Sequence, residues 1–217
     1  MAAITHSILR SALGLGLFAV FTAGTIAVTQ VMTEERIQEQ IRKAEASALF
    51  EIIPERMHDN DLLSSTITLH PDPLLGIRQP AQAWLAREDD EPVGVILPVV
   101  AHNGYSGDIR MLVGVAPDGQ VLGVRVTSHR ETPGLGDKIE LKKSDWITRF
   151  EGKSLANPER ENWAVKKDGG AFDQFTGATI TPRAVVGGVR DALLYFDDHQ
   201  QALMAGSTPA SHSQQGN

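Results

Sequence analysis

The chain has no cysteine. That absence excludes disulfides, thiolate metal sites, iron–sulfur ligation by this chain and a cysteine nucleophile. It leaves the compartment open, because a domain of this size buries enough surface to fold without staples. Basic residues are not in excess either: 20 Lys and Arg stand against 27 Asp and Glu, a formal charge of −7 over 217 residues. Nucleic-acid binders cluster Lys and Arg on one face, so no nucleic-acid partner is expected. Lys142 with Lys143, and Lys166 with Lys167, are short basic pairs near acids and read as solvated surface. No internal repeat is visible, which argues against a solenoid or propeller.

A further absence is local. Residues 11–32 contain no charged side chain and are rich in Leu, Val, Ala, Phe and Gly. A helix needs ~20 mostly apolar residues to cross the hydrocarbon core, and this run suffices. Arg10 precedes it, while Glu34 and Glu35 follow. Positive charge stays preferentially on the cytoplasmic side, so residues 1–10 are expected inside and the rest outside a bacterial inner (cytoplasmic) membrane. The competing reading is a cleaved signal peptide, but its apolar region is usually ~7–15 residues and closes on an A-x-A-like site. This run is longer and has no such close. A buried core helix is the third reading, and nothing else at the N-terminus is available to wrap it.

After residue 32 polarity rises but helical periodicity persists. Ile37, Ile41, Ala44, Ala48 and Ile52 recur at spacings of three and four, one apolar stripe, and Pro54 ends it. The spacing predicts a connecting helix over 33–54. Residues 58–80, with Pro71, Pro73 and Pro80, are mixed and turn-rich. Residues 93–100 form a β-branched run interrupted by Pro98, an edge or bulged strand. Ile109, Met111, Val113 and Val115 alternate with other residues, as do Leu122, Val124 and Val126. The turn Pro117-Asp118-Gly119 joins them into a β-hairpin with one buried face. A Gly-rich loop, Thr132-Pro133-Gly134-Leu135-Gly136, leads to a helical stretch over 137–150. A last helix is expected from Pro182 to about Gln201, with Val185, Val189, Leu193 and Phe196 on its buried face. The tail 205–217 reads as disordered. These elements give an α+β protein: a single N-terminal transmembrane helix, then a domain over 55–204 with a largely antiparallel sheet and packed helices.

The most informative segment runs over 173–182: Asp173-Gln174-Phe175-Thr176-Gly177-Ala178-Thr179-Ile180-Thr181-Pro182. Thr181 suits an N-cap and Pro182 the first helical position. The N–H groups and positive end of such a helix attract a phosphate, and Gly177 lets backbone approach a ligand closely. Taken alone, this signal is weak, and a plain capped helix is the favoured reading.

Residues 173–179 resemble the flavinylation motif D-x-x-S/T-G-A-T. In proteins carrying it, a dedicated flavin transferase moves FMN from FAD to the last Thr as a phosphoester. Gly104-Tyr105-Ser106-Gly107, the segment from His129 through Arg130, Glu131 and Thr132 to Gly136, and Asp145-Trp146 occur in the order seen in RnfG, the membrane-anchored flavoprotein of the Rnf (Rsx) electron transport complex. The resemblance covers nearly the whole chain and is weakest over 55–90 and the tail. A related flavoprotein of the sodium-pumping NADH:quinone reductase shares the domain and motif, but it is usually longer and carries Ser where this chain has Thr176.

The resemblance implies an electron-carrying subunit of a membrane-bound, ion-translocating complex with one covalent FMN per chain on Thr179. Its partners would be the other subunits, and a flavin transferase for maturation. No stand-alone catalysis and no metal site are expected. A Thr hydroxyl is a weak nucleophile unless activated, and no His or Lys lies within the motif, which agrees with attachment by an external enzyme. Asp173 would serve that enzyme or order the loop. Thr176 and Thr181 are candidates to bond phosphate oxygens, beside Gly177 and Ala178. His129, Glu131, Thr132, Gly134, Leu135 and Gly136 form a loop against which a flat ring can lie, although His129 and Glu131 read equally as surface residues. Bulk at Gly134 or Gly136 is expected to displace backbone from the ring. Trp84, Trp146 and Tyr105 are candidates to stack on it, with core the commoner place for an aromatic. The rival functions are an independent extracytoplasmic flavin reductase, which would want a further catalytic domain, and a non-redox anchor or assembly protein.

Overall fold

The computed structural model describes residues 2–210, with side chains described over 12–34 and 46–210. The chain divides into two compact units, Met1–Ala44 and Glu45–Asn217. Helix α1 (Ala2–Ile52) supplies the described part of the first unit, and its last turns belong to the second. Within α1, Ala12–Glu34 is long and apolar enough to cross a membrane, with a mean hydropathy of 1.9 and none of its window buried. At 1.5 Å per residue those 23 residues span about 35 Å, more than a hydrocarbon core. Its threonines are satisfied within the helix: Thr22, Thr25, Thr29 and Thr33 each donate to the carbonyl four residues back. That leaves no hydroxyl of this series unpaired in an apolar medium.

The second unit is built on an antiparallel meander in the order β1-β2-β3-β4-β5. Its strands are β1 (Thr66–Leu69), β2 (Ala81–Glu88), β3 (Glu91–Ala101), β4 (Ile109–Val115) and β5 (Val121–Ser128). The β4–β5 hairpin falls where alternation and the Pro-Asp-Gly turn predict it, but both of its faces are covered. Val95, Leu97, Val99, Met111 and Val113 pack beneath helix α2 (Ile180–Met204), against Val185, Val189 and Leu193. On the other face Ala86, Ile96 and Leu112 cluster with Ala48, Leu49, Ile52 and Ile53 from the end of α1. Glycine makes room there. A Cβ on Gly114 would come within 2.2 Å of Ile52 Cγ2, so this position admits only glycine unless the helix moves. Arg125 locks the junction: its Nε donates to Glu51 Oε2 at 2.9 Å and an Nη to the Glu51 carbonyl at 3.3 Å.

Three further expectations are narrowed or corrected. The run over 93–100 is bulged, with Val93 the extra residue, but β3 is the central strand and not an edge. Pro98 is tolerated because β2 leaves β3 after Ile96, and Val100 bonds instead to the Leu75 carbonyl. Residue 98 faces the same way as residue 100, so the missing donor points where no strand lies. The stretch 137–150 is not one helix but two 3₁₀ turns, Asp137–Ile139 and Asp145–Phe150. Glu140 is extended between them, and Ser144 Oγ accepts from the Trp146 N–H to start the second. The turn-rich region before residue 80 contains strand β1. Of the tail, Ser207 bonds back to the Ala202 carbonyl, and residues 211–217 lie outside the described residues. The stripe positions Ile37, Ile41 and Ala44 also lie outside the described side chains, while Ala48 and Ile52 are buried as predicted.

Candidate functional site

Three loops converge at the N-terminal end of α2. One follows β3 and carries Tyr105. The second follows β5 and runs over 129–136. The third is the 173–179 segment that feeds α2. Between them lies a cleft of about 320 Å³, within the range of small-molecule sites. One wall is Glu131, Thr132, Leu135 and Gly136; the opposite wall is Gly177, Ala178, Thr179, Ile180 and Thr181; Tyr105 stands at the side.

Glu131 ties the loops together. It is buried, at 4% exposure, and not a solvated charge. Its carboxylate accepts the Thr181 hydroxyl, the Ser106 N–H at 2.8 Å and the Tyr105 N–H at 3.3 Å. Behind it, His129 Nδ1 accepts the Glu131 N–H at 3.0 Å, and Nε2 bonds Glu140 at 2.8 Å. His129 is therefore half-buried support behind the cleft and does not line it. Leu135 and Gly136 both donate backbone N–H to the Thr132 carbonyl, which closes a tight turn. A Cβ on Gly136 would lie 2.9 Å from both Glu131 Cβ and Thr181 Oγ1. Gly134 is different: it points to open space at φ +78° and does not line the cleft.

The third loop is anchored from below. Phe175 packs edge-on against Trp146, with ring centroids 5.0 Å apart, in a cluster with Phe150, Trp163 and Phe172. Trp146 is core, and its indole N–H donates to the Asp173 carbonyl at 2.7 Å. The Asp173 carboxylate lies outside the cleft, held by Lys166 at 2.6 Å and Arg149 at 2.5 Å. The Lys166 hydrogen bond outweighs the opposing effect of burial and, with the positive charges of Lys166 and Arg149, holds its carboxyl below the ordinary 3.8. Asp168 is likewise lowered, chiefly by its hydrogen bond from Arg183.

The helix start differs from expectation. Thr179, and not Thr181, stands at the N-cap position, and its side chain makes no capping bond. Thr181 sits two residues later, 1% exposed, with its hydroxyl spent on Glu131. Pro182 is thus the third helical residue, where it still lacks only a donor that no helix could use. The three threonines of the segment are now distinguishable. Thr176 is exposed and off the cleft; Thr181 is buried and bonded; Thr179 is half-buried, lines the cleft and has an unengaged hydroxyl.

Residues 104–194 match the FMN-binding domain family, and residues 1–52 match the RnfG N-terminal region family. Along almost its whole length the chain resembles proteins named as the G component of an ion-translocating oxidoreductase complex. The one from Pseudomonas aeruginosa is 51% identical over 97% of this chain and 99% of its own. Those from Shewanella piezotolerans and Vibrio cholerae are each 46% identical, over 94% and 91% of this chain and 96% and 94% of their own.

The chain belongs to the RnfG family. Its FMN-binding region, 104–194, contains every residue that lines the cleft. The donor set also fits FMN: a free hydroxyl and the unpaired N–H groups of a helix N-terminus for the phosphate, and apolar Leu135 and Ile180 for the ring. Of the site residues read from this RnfG sequence, Thr179, Gly177, Ala178, Thr181, Glu131, Thr132, Leu135 and Gly136 come together at the cleft. Asp173, Thr176, His129 and Gly134 do not line it. Ile180 does, and its side chain gave no signal in the sequence. Trp84 belongs to the α1 side of the sheet, so among the stacking candidates only Tyr105 reaches the cleft.

Proposed function

We propose that the chain is the electron-carrying RnfG component of an Rnf-type ion-translocating membrane complex. One FMN is joined through a phosphoester to Thr179, in an extracytoplasmic domain anchored in the bacterial inner membrane through residues 11–32. The observation that carries this reading is the state of Thr179: in a segment with three threonines, it alone offers an unengaged hydroxyl to the cleft of about 320 Å³. Bound FMN supplies reversible one- and two-electron chemistry. The residues of the chain hold and orient it. Thr179 Oγ forms the bond to the FMN phosphorus of FAD, the pyrophosphate linkage breaks, and AMP leaves with the proton balance closed in solvent. Among the residues lining the cleft the one carboxylate, Glu131, is engaged by Thr181 and two N–H groups, which agrees with attachment by a flavin transferase. The α2 N-terminus would hold the phosphate, and Glu131 keeps both walls in register.

The test is coexpression with the transferase. Flavin fluorescence should stay with the denatured parent protein on a gel, and Thr179→Ala should lose it while keeping the parent's far-UV circular dichroism. Flavin retained by denatured Thr179→Ala would move the attachment elsewhere.

A further inference from the structure

The loop between β3 and β4 carries two of the N–H groups that Glu131 accepts, those of Tyr105 and Ser106. Its base is closed by side chains. The last paired residues of the two strands are Ala101 and Ile109. One residue beyond them, His102 Nδ1 lies 2.9 Å from Asp108 Oδ1, a side-chain rung across the loop. The other ring nitrogen, Nε2, lies 2.8 Å from the Gly76 carbonyl oxygen. That carbonyl is a fixed point. Asp72 and Ile77 exchange backbone hydrogen bonds of 3.0 and 3.1 Å around it, Leu75 is fully buried, and the Val100 N–H donates to the Leu75 carbonyl. Gly76 has φ +65° and would place a Cβ 2.0 Å from the Val100 carbonyl oxygen, so the turn requires glycine. The β3–β4 loop is tight as well: a Cβ on Gly104 would lie 2.3 Å from the Gly107 carbonyl oxygen and 3.0 Å from Glu131 Oε1.

Both neighbours of the His102 ring are acceptors. A carbonyl oxygen has no proton to give. The hydrogen bond from His102 outweighs the opposing effect of burial and, with the charges of His102, Arg78 and Arg110, holds the Asp108 carboxyl below the ordinary 3.8. The carboxylate is therefore an acceptor only. Arg78 approaches it from the side of the 72–77 turn and Arg110 from β4. A neutral imidazole donates from one nitrogen and turns a lone pair to the other oxygen; only a ring protonated on both nitrogens donates to both.

We infer that His102 is a positioning residue for the flavin cleft: protonated on both nitrogens, its ring ties the 102–108 loop to the 72–77 turn, and the tied loop holds Glu131 through Tyr105 and Ser106. The inference rests on the reading that the cleft holds FMN. The two side chains are 33% and 46% exposed, so the pair contributes little to overall stability, and its effect is local to the loop. The tie is complete at acid pH and loses one of its two bonds as pH rises, which loosens the Glu131 side of the cleft. Asp108→Asn changes the requirement. Its amide can donate to Nδ1 of a neutral ring, whose Nε2–H still serves Gly76.

The experiment compares full-length parent, His102→Ala and Asp108→Asn, each coexpressed with the transferase. Amide hydrogen exchange at Tyr105 and Ser106 and the visible circular dichroism of the bound flavin are read at the two ends of roughly pH 5–8, where histidines change charge. Comparing proteins at one pH cancels the intrinsic pH dependence of exchange. At the acid end His102→Ala should exchange the two amides several-fold faster than the parent. At the upper end the parent should approach His102→Ala, while Asp108→Asn stays protected. The parent's flavin dichroism should shift between the two ends, and that of Asp108→Asn should shift less. Any shift left in His102→Ala reports His129, whose Nδ1 accepts the Glu131 N–H. Equal exchange in parent and His102→Ala at the acid end would overturn the tie. A difference of the same size at both ends would overturn the need for a doubly protonated ring. A flavin dichroism that ignores pH while the loop amides respond would overturn the positioning role. A parent without covalent flavin would refute the tether at Thr179 instead, and the amides would still decide the tie.

Discussion

Glu131 and Gly136 show how little slack the cleft has. The carboxylate collects three donors from two other loops, and its stem leaves no space for a side chain at residue 136. Glu131→Ala would strand a buried hydroxyl and two N–H groups, a cost of about 3 kcal/mol. Its flavin loading should fall with the loosening of the walls. Gly136→Val forces bulk against Glu131 and Thr181 and should cost about 2 kcal/mol by overpacking, again with reduced covalent flavin. Gly134→Ala meets nothing and costs about 1 kcal/mol for a left-handed conformation alone, with loading and flavin spectrum near those of the parent. Denaturant unfolding with in-gel flavin fluorescence separates the three. Equal effects at residues 134 and 136 would mean that loop flexibility, and not clearance from Glu131, governs the site.

Loop 173–179 is held at its start by ions and in its middle by a ring. Asp173 is exposed enough that its pairs with Lys166 and Arg149 contribute modestly, yet they fix the point from which the segment runs to Thr179. The carboxyl is lowered in the folded protein, so its contribution is present above the ordinary 3.8 and is lost as pH falls below it, through the lower folded value. The same sign holds for Asp168 beside Arg183. Pepsin should therefore spare the loop at mildly acid pH and cut it below 3.8, whereas Asp173→Asn should be cut at the milder pH as well. Identical cleavage of both proteins would assign the anchoring to Phe175 alone.

Elements with strong periodicity were legible in the sequence: the apolar part of α1, the β4–β5 hairpin and the buried stripe of α2 follow from spacing. Strand β2 was not, since Ala, Gln, Leu, Arg and Glu favour helix, and only its pairing with β1 and β3 makes Ala81–Glu88 extended. At the cleft, the motif and the Gly-rich loop were legible as segments, but not the depth of each residue. Neither spacing nor composition says that Thr181 would turn inward to Glu131, 50 positions away, or that Gly134 would turn out.

At the scale of the whole molecule, the proposed orientation in the membrane rests on charge placement. Ala12–Glu34 carries no basic residue, with Arg10 before it and Glu34 and Glu35 at its end. The proposed orientation follows the positive-inside rule, with the N-terminus in the cytoplasm and the cleft exported. The rule depends on few charges here, which makes the orientation testable by reversing them. A reporter active only outside the cytoplasm, fused after Gln201, should be active on the parent and silent in a cytoplasm-only version. Arg10→Glu combined with Glu34→Lys and Glu35→Lys should lower the exported signal. Covalent flavin should fall with it if the transferase works on the exported side. An exported domain that loses flavin in step with its export would join topology to maturation. A cytoplasmic reporter active on the parent would sink the orientation, and with it the assignment of electron transfer to the outer face.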